Sequence, residues 1–358
     1  MKLGLFMMPL HPPEKDRTTC FDEDLELVVL ADKLGFTEAW VGQHHTAGWE
    51  PIPSNDVFIA HALPQTKNIR FGTGVTILTQ HHPANVAVRL AYLDHLAKGR
   101  LNVGFGQGGV PSDWALFDLP DPREQGLMTL EAMDIVLKLW KEEAPFEYKG
   151  KYWNLRMEEK VPEFGLGQLL KPYQKPHPPI AMSIVKEESL AAKTGGQRGF
   201  LPISINMAPA HKVKRQWALY CEGAAEGGKP EPQRSNWRIS RSIFVGESDE
   251  SAREHALNSP FMGSLLYLRG MLTMAGMLDL LKRDPDMPDE AVTADYIVDN
   301  IAVVGSVDTV TRKLQDIYDL IGGFGTVLMI AHDWHDREKS MRSIELLAKE
   351  VVPALPTV

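Results

Sequence analysis

The stretch "TEAWVGQHHT", residues 37–46, reads as a short buried strand that ends at Gly42 and releases three polar residues, Gln43, His44 and His45. Two segments of helical period bracket it. "FDEDLELVVLADKLG" (21–35) is apolar at Leu25, Val28, Val29, Ala31 and Leu34 and stops at Gly35, and "PSNDVFIAHALPQ" (53–65) opens on a Ser/Asn cap. The same alternation runs outward in both directions. Apolar runs recur at 2–8, 69–77, 100–106, 178–184, 199–205, 237–246 and 324–330, and helical patterns at 84–97, 128–143, 187–194, 210–226, 248–257 and 337–352. Strands that alternate with helices form parallel sheets.

Eight such units without a repeat or a linker predict an α/β fold, a (β/α)8 TIM barrel with insertions, as one domain over residues 1–358. This fits better than an open doubly wound sheet. The Met- and Leu-rich segment at about 258–300 reads as an insertion. In a barrel, residues just after strands line the catalytic rim, so His44 and His45 belong there.

Composition narrows the partners. Lys+Arg total 38 against Asp+Glu 47, a formal net charge of -9, and no basic cluster is interleaved with aromatics, which argues against nucleic acid. The N-terminal "MKLGLFMMPL" meets His11, Pro12 and Pro13 well short of the roughly 20 apolar residues of a membrane span, and carries no cleavage site. No membrane association and a cytoplasmic location are expected. Cys20 and Cys221 form neither a metal pair nor a disulfide framework.

Several motifs invite chemistry and fail a context test. "GFGQGG" (104–109) matches G-x-G-x-x-G but follows the fourth strand, and Val110, Pro111 and "DLPDP" prevent a long helix from opening on it. It reads better as a Gly-rich rim loop that lets backbone approach a flat ligand or a phosphate. The doublets His44–His45 and His81–His82 place neighbouring side chains on diverging directions, and "HDWHD" (332–336) is explained as well by a polar loop and helix cap, so no metal is expected. There is no G-x-S-x-G elbow. A roomy apolar rim with few polar groups suits an organic cofactor that carries its own chemistry.

Five stretches, "LGLFMM" at the start, "EAWVGQHHT", "FGTGVTILTQHHP", "KGRLNVGFGQGG" and "GGFGTVLMIAHDW", resemble in order and spacing the bacterial luciferase-like flavin monooxygenases, over nearly the whole chain. Within that superfamily the sequence is similar to limonene monooxygenases. The resemblance implies a two-component FMNH2-dependent monooxygenase. FMN, reduced by a separate NAD(P)H-dependent flavin reductase, reacts with O2 to a C4a-peroxyflavin that oxygenates a hydrophobic small molecule such as a terpene, aldehyde, ketone or alkane. Related barrels transfer hydride with a deazaflavin, and others only bind flavin; both remain alternatives.

The resemblance also implies roles for residues. His44 acts in acid–base chemistry beside the flavin oxygen adduct and His45 shapes the site, which suits imidazole near neutral pH. Phe6 and Met8 line the flavin pocket, Gly74 and Val75 carry a non-prolyl cis peptide under the isoalloxazine, and His82 supports the site from outside. Gln107 and Gly108 match the loop where luciferase has a cysteine and an arginine, so a cationic phosphate ligand is missing from it. Ser183, with Lys186 nearby, matches the other phosphate loop. Within the insertion at about 258–300, the Met-rich segment 259–281 lies where luciferases carry a mobile loop; its pliable Met and Leu side chains suit a lid, or equally a helix packed on the barrel or a second subunit. A homodimer through helices of the first half is expected from the same resemblance.

Overall fold

A computed structural model describes residues 1–205 and 207–358. Its strands are β1 (Lys2–Leu10), β2 (Glu38–Val41), β3 (Arg70–Ile77), β4 (Leu101–Gly106), β5 (Phe146–Lys149), β6 (Asn154–Met157), β7 (Ile180–Ile184), β8 (Leu201–Ser204), β9 (Arg238–Arg241), β10 (Ile243–Val245), β11 (Val303–Gly305) and β12 (Thr326–His332). Eight of them close a parallel barrel in the order β1-β12-β9-β8-β7-β4-β3-β2. These eight are the eight strands expected from the sequence. The helices are α1 (Arg17–Lys33), α2 (Asn55–Ala62), α3 (Pro83–Ala97), α4 (Pro111–Leu116), α5 (Pro122–Lys141), α6 (Leu190–Arg198), α7 (Ala210–Glu226), α8 (Asp249–Asn258), α9 (Pro260–Met274), α10 (Ala294–Asn300), α11 (Val307–Ile321) and α12 (Arg337–Leu346). No described helix is long and apolar enough to cross a membrane.

The barrel interior is built in layers. At the N-terminal end Glu38 of β2 and Arg238 of β9 meet across the barrel in a bidentate pair, 2.9 and 3.1 Å. Above it the fully buried Trp40 lies against β3, where a Cβ on Gly72 would stand 2.2 Å from the indole. The alternating glycines of "FGTG" therefore make room for that ring. Outside, a core of Leu, Val, Ile and Ala lies between sheet and helices.

Three features depart from the sequence reading. Helix α1 begins at Arg17, four residues before the expected start, because the Asp16 carboxylate caps it by accepting from Thr19 N at 2.9 Å. The run 237–246 divides, β9 staying in the barrel while β10 leaves to pair in parallel with β11. The helix expected at 248–257 exists as α8 but packs on β11 and α9, and the barrel's seventh outer helix is α11, packed against α7. Its buried Val310, Leu314 and Ile321 give it a core-facing stripe.

The excursion between β9 and β12 lies over one side of the barrel mouth. Phe261, Met262, Leu265 and Leu268 of α9 share one buried cluster with Phe6, Leu10, Trp40, Ile203, Leu328 and Ile330 of the barrel. The other side stays open: Met8, Gly74, Val75, Gly106, Gln107, Gly108, Met182 and Ser183 are all half-buried.

Candidate active site

The loop between β2 and α2 carries the histidine doublet, and its two rings diverge. His44 is pinned by its N–H to Ile52 O at 3.0 Å. Its Nε2 lies 3.2 Å from Glu50 Oε2, and its Nδ1 lies 3.6 Å from Asp113 Oδ2. Both carboxylates are buried, Glu50 at 4% exposure and Asp113 at 1%. His45 turns the other way, its ring 4.8 Å from that of Phe117 and its Nε2 buried without a partner among the described residues.

Asp113 stitches two rim loops together. It sits in α4, the short helix after β4, and accepts from Thr46 N at 2.8 Å, from Thr46 Oγ1 at 2.5 Å and from His45 N. Burial pushes its carboxyl up, but these bonds and the His44 ring hold it below the ordinary carboxylate range. Burial likewise pulls His44 down, yet the charges of Glu50 and Asp113 outweigh it and raise the imidazole to about 10. His44 is thus an imidazolium at neutral pH. An imidazolium can give a proton or donate a hydrogen bond but accepts neither, unlike a neutral histidine, which can do both.

The other expected residues fall around the same mouth. Phe6 is buried in its floor beside Trp40, and Met8 stands further out on β1. The Gly74–Val75 peptide bond is cis. Gln107 has its carbonyl held by Thr79 Oγ1 at 3.0 Å, and Gly108 adopts φ +84°. Ser183 ends β7. The carbonyls of Val185 and Lys186 that follow it accept from Gln216 Nε2, at 3.3 and 3.1 Å. A flat ring fits this mouth: its rim is glycine-rich and half open, and Trp40 Nε1 is buried without a partner among the described residues, while Gln43 and Thr76 line a separate small cavity with Asp56, Arg89 and Leu90 of α2 and α3.

Other histidines are committed elsewhere. His82 caps α3, its Nδ1 accepting from Ala84 N, and is exposed. Asp336 caps α12, while Asp333 binds His11 Nδ1 at 2.7 Å and Lys15 Nζ at 2.6 Å. Among the described residues His11, Glu23 and Asp333 come within metal-ligand reach of one another, and the Lys15 ammonium supplies the cation that bonds both acids.

Sequence reading missed Glu50, Asp113 and Tyr267, whose hydroxyl donates to Glu50 Oε1 at 3.0 Å. Only Glu50 left a signal, an acidic residue in the apolar "GWEPI" six positions beyond His44.

A closed parallel barrel with a histidine-bearing rim and a half-covered mouth defines a class of enzyme, and the sequence places the chain in it. The profile of luciferase-like monooxygenases matches residues 1–323, and the chain belongs to that family. It is 33% identical to the 4-hydroxyprotoasukamycin monooxygenase of Streptomyces nodosus subsp. asukaensis, over 99% of this chain and 92% of that protein. It is 30% identical to limonene 1,2-monooxygenase of Rhodococcus erythropolis, over 98% and 85% respectively. The oxygenating constituent of 3,6-diketocamphane monooxygenase from Pseudomonas putida, a type II Baeyer–Villiger monooxygenase solved with FMN, superposes with a TM-score of 0.92 at 30% identity, covering both chains in full. The protein is a monooxygenase of this flavin-dependent family.

Proposed function

We propose that this chain is the oxygenase component of a two-component, FMNH2-dependent monooxygenase acting on an apolar small molecule. The observation that carries the reading is His44, an imidazolium set between two buried carboxylates at the half-open mouth of the barrel. Phe6, Met8, Gly74 and Val75 would hold the isoalloxazine, with Gln107, Gly108 and Ser183 toward the ribityl phosphate. When bound, reduced FMN supplies the two electrons that let one oxygen atom enter the substrate and the other leave as water. His44 donates a proton from Nε2 to charge that develops on oxygen, Nδ1 being buried toward Asp113; Glu50 and Asp113 hold its ring, and His45 closes the wall toward Phe117.

The apolar face of α9 excludes water and shapes the substrate space, so the excursion works as a lid. The relatives' substrates support small cyclic ketones and terpenes as the class to test first. Reduced FMN would come from a separate NAD(P)H-dependent reductase. Exposed Val57 on α2 and Val88, Tyr92 and Leu96 on α3 support pairing of two copies through these helices.

The test supplies chemically reduced FMN and 18O2 with a panel of cyclic ketones and limonene, and a parallel set with reduced deazaflavin. One labelled oxygen per product with FMN alone is expected. His44→Ala should lose product at least 100-fold, in line with general acid–base contributions of about 10²–10⁴, with unchanged flavin affinity. Full activity in that variant would refute the proton-donor role.

A further inference from the structure

The helix that covers the mouth also touches the histidine's partner. Helix α9 approaches the 43–52 loop along one face, where Gly263 and Tyr267 are four residues apart. A Cβ on Gly263 would stand 3.0 Å from Trp49 Cη2, so glycine lets the helix sit this close. One turn on, the Tyr267 ring stacks on the Trp49 indole, centroids 5.7 Å apart and planes at 21°. The Tyr267 hydroxyl reaches past that indole and donates to Glu50 Oε1 at 3.0 Å, while the other carboxylate oxygen faces His44. Beside that face α9 is held by Ser264, whose Oγ lies 2.7 Å from His332 Nδ1 at the end of β12. The helix therefore spans from β12 to the β2 loop.

This gives Glu50 a divided environment. Among the described residues its two oxygens are taken by one donor each, the Tyr267 hydroxyl on Oε1 and the His44 ring on Oε2. The groups facing His44 are Glu50 from its own loop, Asp113 from α4 and, one bond further, Tyr267 from α9. A carboxylate at 4% exposure keeps its charge only if its oxygens are bonded. With the hydroxyl in place, the carboxylate is fixed with Oε2 toward the His44 ring; without it, one of the two contacts that hold the carboxylate in that pose is gone, and its grip on the ring N–H changes.

We propose that Tyr267 is a positioning residue for His44, acting through Glu50, so that seating of α9 over the mouth and fixing of the carboxylate toward the imidazole are one event. An unseated helix would leave the mouth open to water and Glu50 without the hydroxyl that fixes it toward His44. The inference rests on His44 being the proton donor of the reaction, which the product assay above tests by itself; the measurement below reads the ring directly and needs no turnover.

The full-length protein, labelled with 15N-histidine and free of flavin, is compared as wild type, Tyr267→Phe, Glu50→Gln and the double variant, by the 15N signals of the His44 ring at pH 7.5. Phenylalanine keeps the stack on Trp49, and glutamine keeps the shape of Glu50 but cannot accept the proton. In the wild type both ring nitrogens are expected to carry hydrogen. In Tyr267→Phe the Nε2 signal should shift from its wild-type position, reflecting the changed grip of Glu50 on the ring N–H once its carboxylate has lost one bond. In the Glu50→Gln background the same change at 267 should leave the ring unaltered. A Tyr267→Phe spectrum identical to wild type, or an equal shift in both backgrounds, would overturn the proposal.

Discussion

Replacing Glu38 by glutamine isolates what the cross-barrel pair contributes. Glu38 and Arg238 are 200 residues apart and meet at the N-terminal end of the barrel, 5% and 13% exposed, through two hydrogen bonds of 2.9 and 3.1 Å. Glutamine preserves the volume and one acceptor but removes the charge, leaving the guanidinium with the Asn236 carbonyl, 2.6 Å from Nη1, as its other strong partner. Removing one member of a buried pair costs about 3–5 kcal/mol. The retained amide oxygen and the partial exposure of Arg238 put the expected loss at the lower end, about 3 kcal/mol. Urea unfolding followed by tryptophan fluorescence measures it, and Glu38→Gln with Arg238→Met completes a double-mutant cycle. The double variant should recover part of the loss, since an apolar pair of similar volume avoids the desolvation cost. Product formation should stay at wild-type level, because the pair lies at the end of the barrel opposite the mouth. A loss below about 1 kcal/mol, or simple additivity of the two single variants, would refute the account of the pair as a buried electrostatic closure.

Two further outcomes follow from the packing and the charges. Gly196→Ala places a methyl 2.0 Å from the Tyr220 carbonyl oxygen where α6 crosses α7, and should destabilise by several times the loss seen for Gly109→Ala, whose Cβ meets nothing within 4 Å; thermal unfolding compares the two. Burial pulls His11 down, but its bonds to Asp24 and Asp333 raise it to about 9, and His44 reaches about 10. Both titrate near 6.5 when unfolded, so the stability they contribute is complete below that pH and is lost as pH rises through 9 to 10. Burial holds His332 down at about 3, which acts in the opposite sense: stability is lost as pH falls from 6.5 toward 3. Melting temperature against pH should therefore peak near 6.5 and fall on both sides, on the alkaline side steadily from 6.5 until pH 9 to 10. A midpoint still constant at pH 10.5 would contradict the paired state of both His11 and His44.

The eight barrel strands were legible because each is a short apolar run between helical periods, and burial on both faces of a parallel sheet writes itself into consecutive residues. The glycines of β3 were visible as letters, but their reason, the Trp40 ring lying across them, is a contact between neighbouring strands. Helix α11 escaped because α8 occupies the position in sequence where a seventh barrel helix is expected. Only packing shows that α8 belongs with α9 and β11 while α11 completes the outer ring.

The sequence by itself determined that His44 and His45 stand on the barrel rim, since the end of a strand is a local property of the chain. Tertiary structure decided what His44 is there. Its charge depends on Glu50 from the same loop, Asp113 from the short helix after β4, and a tyrosine 217 residues from Glu50. Hydrophobic periodicity is read over a turn or a strand, whereas an imidazole's protonation is set by the few ångströms of space around it, and that neighbourhood exists only once the barrel has closed.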